Sequence, residues 1–291
     1  MGEDVDLERT ARGTPMFSGA DLAELINEAA ILATLDNKDQ VEQHDLEEAR
    51  DKIRFGRARK SRKIEERERI ATAYHEAGHT AVQAMLDEAD PVHKVTIIPR
   101  GQAMGATFSL HERDRYGYGM RYLAATMRVL CGGRIAEERK TGDVSSGASM
   151  DIQMVTNYAR HMILEWGMSE RLGFVRYSGT DTNEMYLPDK DYSPETARII
   201  DEEVKRLIDE AYQDATRMID EHWDKVEAIA QALLKYETLQ SDEVTMLMDG
   251  QQIDRPTVAD LLDSESKSAP PPPPAADDRP DEAGGMMPSP A

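Results

Sequence analysis

The run His75-Glu76-Ala77-Gly78-His79 contains the residue types that can do chemistry here. Two histidines four apart on a helix share one face, with Cβ atoms about 5–6 Å apart. Both imidazoles can then reach one zinc ion at about 2.0–2.1 Å. Glu76 neighbours the first histidine and reaches the edge of the same site rather than the metal. There it can accept a proton from an attacking water and return it to a leaving amine. Gly78 weakens a helix by about 1 kcal/mol relative to alanine, a cost that close approach of another element or of substrate would explain. Ile70, Ala73, Ala77, Ala81 and Ala84 predict a helix packed on more than one side, unlike a surface helix with two unrelated histidines.

A catalytic zinc needs a third protein ligand and an open position. A third histidine six residues after the second is absent, because that position is Met85. Glu137, Glu138, Asp143, Asp151, His161 and Glu165 all remain candidates, and spacing alone does not choose among them. Asp151 follows the small-residue run Ser145-Ser146-Gly147-Ala148-Ser149, where a backbone bend at a helix start can deliver a carboxylate into a cleft. Zinc is favoured over iron or manganese by this ligand type.

The elements that must position these groups are mainly helical. Ser18 with Asp21 forms a helix-start signal, followed by Leu22, Leu25, Ile26, Ala29 and Ala33 on one face. A second helix is expected over His44–Phe55 with Leu46, Ala49 and Ile53 inward, and two such short helices must pack on something else. The basic run Arg57, Arg59, Lys60, Arg62 and Lys63 reads as a solvated linker rather than a docking patch. Helix resumes near Glu65 and runs to about Leu86. Lys94–Pro99 and Ala106–Leu110 flank a glycine-containing connection and predict a small sheet or hairpin. Further helices are expected over Tyr118–Arg139, Ala148–Trp166, from Ser193-Pro194 onward, and over His222–Tyr236. The segment from about Ser264, with Pro270–Pro274, cannot repay the entropy of folding and predicts a disordered tail.

Composition bounds the function. A net charge of -21 over 291 residues argues against nucleic acid as a partner. Hydrophobic residues make up 40%, enough for a core, yet no stretch approaches the ~20 apolar residues of a membrane span. The single cysteine, Cys131, excludes an intrachain disulfide and reads as a buried, inert thiol.

Several blocks closely resemble the FtsH family of ATP-dependent zinc proteases. They are Thr72–His79, Asp90–Gly101, Gly132–Glu138 and Ser145–Ile152, while Phe17–Ala30 resembles the helical lid of that family's AAA module. The resemblance implies that His75, His79 and Asp151 bind one zinc per subunit and that Glu76 is the catalytic base. Glu137 and Glu138 would orient ligands or anchor their helix. Met150 departs from the polar residue common before the aspartate, which can alter the hydrogen bonding around the ligand. The implied organisation is a lid remnant over 1–57, a metallopeptidase over 58–250 with a small β element, and a tail over 251–291. No glycine is followed by lysine, so the phosphate-binding loop is missing and ATP would act only through a core outside this chain. The resemblance further implies a homo-hexamer degrading unfolded or misfolded proteins, anchored at the cytoplasmic side of the bacterial inner membrane in the intact parent. The other readings are a non-enzymatic oligomerisation or adaptor module and a zinc aminopeptidase.

Overall fold

In the computed structural model, residues 1–56, 64–99, 105–109, 117–177 and 192–257 are described. The chain divides into two compact units, Met1–Asp254 and Arg255–Ala291, and only the first three residues of the second are described. The basic run at 57–63 and the proline-rich segment from 264 lie outside the described residues.

Short helix α1 (Leu7–Arg12) precedes the predicted pair α2 (Gly19–Leu35) and α3 (Gln43–Phe55). Ser18 caps α2 reciprocally: its hydroxyl accepts from the Asp21 amide, and the Asp21 carboxylate accepts from the Ser18 amide at 2.7 Å. Leu25, Ala29, Leu46 and Ala49 form a small core of their own. Leu22 and Ile26, expected on the buried face, stand 42% and 44% exposed, because two short helices cover only part of a wide apolar stripe.

This small unit is fastened to the following sheet by charge. Asp51 on α3 is fully buried, accepts from Arg50 Nη2 at 2.8 Å and pairs with Lys94 of strand β1 (Val92–Thr96). Burial opposes the carboxylate's charge, yet Lys94 and Arg50 hold its pKa below the usual range. Removing one member of such a buried group strands the others without a partner. Asp51→Asn is therefore expected to cost about 3 kcal/mol of stability, read as a lower urea midpoint. A midpoint equal to wild type would place the attachment elsewhere.

The larger core is built on α4 (Glu66–Ala84), which is buried almost continuously from Ala73 to Gln83. Helix α5 (Met120–Thr141) crosses it on one side, and α7 (Pro194–Glu221) and α8 (Trp223–Tyr236) complete the bundle. Tyr74 stacks on Trp223 at 5.7 Å and donates from its hydroxyl to Glu227 Oε1 at 3.2 Å, tying α4 to α8. The α7 start follows its sequence signal, with Ser193 as N-cap and Pro194 in the first turn.

Strand β1 pairs antiparallel with β2 (Ala106–Ser109), as the hairpin signal suggests, and also with β3 (Thr238–Gln240). Among the described residues, the order β2-β1-β3 makes β1 the middle strand and leaves β2 at an edge. Helices α6 (Ser149–Leu164) and α9 (Ser241–Met248) complete the described elements. No helix among the described residues is long and apolar enough to cross a membrane.

Candidate active site

The α4–α5 crossing is made by glycines. A Cβ built at Gly78 would lie 2.3 Å from the Gly132 carbonyl oxygen and 2.7 Å from Ala136 Cβ. At Gly133 it would fall 2.4 Å from His79 Nε2 and 2.9 Å from His75 Nε2. The backbones meet where side chains would hold them apart, and the space beside both imidazoles is left open.

His75 and His79 project from α4 with their Nε2 atoms 3.0 Å apart. Asp151 lies in the first turn of α6, after a single 3-10 turn at Ser146–Ala148 that Ser145 caps. The bend brings Asp151 Oδ2 to 3.2 Å from His75 Nε2 and 3.5 Å from His79 Nε2. Of the six acidic or histidine candidates, Asp151 and Glu137 approach the pair. Glu138, Asp143 and His161 are exposed, and His161 pairs with Glu165 on its own helix at 3.1 Å. Met150 is 64% exposed.

The outer nitrogens show why these atoms suit a cation. His79 Nδ1 lies 2.7 Å from the Val129 carbonyl, which can only accept, so Nδ1 carries the proton. His75 Nδ1 lies 3.1 Å from Glu137 Oε2, which fixes the same tautomer in the neutral ring. Both Nε2 atoms then present lone pairs to each other and to a carboxylate. Three electron-rich atoms this close repel unless a cation sits among them. A tetrahedral ion with bonds of about 2.0–2.1 Å would space its ligands by about 3.3 Å, close to the separations found.

The electrostatics agree. Burial works against charge on His75, but hydrogen bonds with Asp151 and Glu137 raise its pKa to about 10. Burial also opposes charge on Asp151, while the two histidines hold its carboxyl well below the usual range. Burial pushes the Glu76 carboxyl upward, against the pull of both histidines and a hydrogen bond from Thr107. Cys131 is buried, and desolvation followed by the Asp151 charge pushes its thiol up to about 12, matching the inert reading.

Sequence reasoning did not single out Thr107, Gly105 or Gly133. Only Gly133 carried a signal, since a glycine pair inside a helical pattern marks a close approach.

Two histidines flanking a glutamate on one helix, with a carboxylate supplied by a second helix, form a group that could hold a metal ion, the arrangement a metallopeptidase requires. The family model of peptidase family M41 matches residues 62–247, and that of the AAA+ lid domain matches residues 4–48. The chain belongs to peptidase family M41. It is similar to ATP-dependent zinc metalloprotease FtsH 2 of Methylacidiphilum infernorum, 51% identical over 261 residues, covering 88% of this chain and 41% of the relative. It is 46% identical over 258 residues to the FtsH of Rubrobacter xylanophilus, covering 87% and 40%. With the Bacillus subtilis FtsH it shares 45% identity over 254 residues, covering 86% and 40%. The chain thus spans about two fifths of the length of these relatives.

Proposed function

We propose that His75, His79 and Asp151 bind one zinc ion per chain and that Glu76 is the general base of an endopeptidase. The observation that carries this reading is the convergence of three donor atoms within 3.5 Å, beside a buried glutamate. Zinc held there supplies Lewis-acid chemistry, polarising a carbonyl and lowering the pKa of water. Glu76 takes the proton of the attacking water and delivers it to the leaving amine. Glu137 and the Val129 carbonyl orient the two imidazoles through their Nδ1 atoms.

Unfolded or misfolded protein is the proposed substrate, bound as an extended strand. Strand β1 is hydrogen-bonded on both sides and offers no free edge. The outer edge of β2 receives the substrate in our reading. Residues 1–57 serve as a lid remnant and 58–250 as the peptidase. We place this chain as the proteolytic part of a longer ATP-dependent homo-hexamer, anchored in the bacterial inner membrane and working at its cytoplasmic side. The names of the relatives support the ATP dependence and the zinc.

The zinc-loaded chain is expected to cut casein at internal bonds, with mass spectrometry of the products as the measurement. A chelator should stop cleavage and added zinc restore it. Products trimmed stepwise from one end would favour the aminopeptidase reading, and no zinc-dependent cleavage would favour the non-enzymatic one.

A further inference from the structure

Strand β2 lies against α4 along a polar seam. On the helix, Glu76, Thr80 and Gln83 fall at i, i+4 and i+7 and share one face. On the strand, Thr107 and Ser109 are two apart and share one face. The Thr107 hydroxyl donates to Glu76 Oε2 at 2.9 Å, and its oxygen lies 3.3 Å from the Thr80 hydroxyl. Gln83 Nε2 donates to Ser109 Oγ at 2.8 Å. Because an ionised carboxylate only accepts, the relay has one direction: Thr80 donates to Thr107, and Thr107 donates to Glu76. A Cβ at Gly105 would lie 2.7 Å from Glu76 Oε1 and 2.8 Å from its Cγ, so the start of β2 also bears on the other oxygen. A one-residue slip of β2 would replace the hydroxyl with Ala106 or Phe108. The Gln83–Ser109 bond opposes that slip.

We propose that Thr107 is a positioning residue for the catalytic base, its hydroxyl holding the Glu76 carboxylate at the aim needed for proton transfer. This deepens the proposed function and rests on the reading of Glu76 as base. The side chain that aims the base stands on the sheet's edge strand, where an extended substrate would add. Engagement of substrate and alignment of the base therefore share one element, and the hydroxyl acts on turnover rather than on binding.

The test compares zinc-loaded chains carrying Thr107→Val and Thr107→Ser, with steady-state cleavage of a fluorogenic peptide, zinc content and thermal unfolding measured on each. Thr107→Val keeps shape and removes the hydroxyl. It is expected to lower kcat about tenfold or more, with KM within about twofold and zinc unchanged. Thr107→Ser is expected to recover most of kcat. Thr107→Ala removes the same hydroxyl without a branched side chain and carries the test if the valine variant does not fold. Unchanged kcat in Thr107→Val, with Glu76→Gln inactive in the same assay, overturns the positioning role and leaves the base reading intact. Parallel losses of zinc, melting temperature and kcat that serine does not restore also overturn it, in favour of a purely structural role. Full activity in Glu76→Gln removes the base itself, and this proposal with it.

Discussion

Glu76→Gln is expected to lower kcat for peptide hydrolysis by about 10²–10⁴-fold while the zinc content stays at the wild-type level. The substitution keeps the size of the side chain, and the amide oxygen can still accept from Thr107, which lies 2.9 Å from Oε2 in the wild type. What it removes is the proposed proton acceptor beside His75 and His79. Glu76 is only 6% exposed, so bulk water is poorly placed to take over the transfer. The proposed ligand atoms belong to other residues, and their separations of 3.0 to 3.5 Å do not depend on this carboxylate. Loss of turnover with metal retained is thus the signature of a base. Undiminished cleavage would remove Glu76 from the mechanism.

Gly78→Ala is expected to destabilise the fold by about 3 kcal/mol, against the gain of about 1 kcal/mol that helix propensity alone would give. The added methyl would meet the Gly132 carbonyl oxygen at 2.3 Å, and the obstacle is backbone, which cannot swing aside. Helices α4 and α5 must separate to accept it. That movement carries Glu137 and Gly133 away from the two imidazoles, so metal affinity should fall together with stability. Urea unfolding and zinc titration of the variant measure both effects. A variant more stable than wild type would show that the crossing is looser than these distances imply.

The readability of this sequence followed the range of each interaction. Helix starts at Ser18 and Ser193 were legible because a cap is written within four residues. The histidine pair was legible for the same reason. Burial was less so, since Leu22 and Ile26 carry the helical period yet stay more than two fifths exposed. Strand β3 escaped notice because three residues show no alternation, and only the backbone of β1 gives them their pairing. In the site, spacing left six candidates for the third ligand, and resemblance rather than geometry pointed to Asp151. Thr107 and Glu137 lie 31 and 62 positions from their partners, and no local pattern announces such contacts.

Metal analysis of the purified chain beside Asp151→Ala distinguishes a built metal centre from a chance cluster of donors. About one zinc per wild-type chain is expected. In the variant, where the two imidazoles keep no carboxylate ligand to share the cation, zinc should be lost or weakly held. Equal zinc in both proteins, or none in the wild type, would contradict a built metal centre.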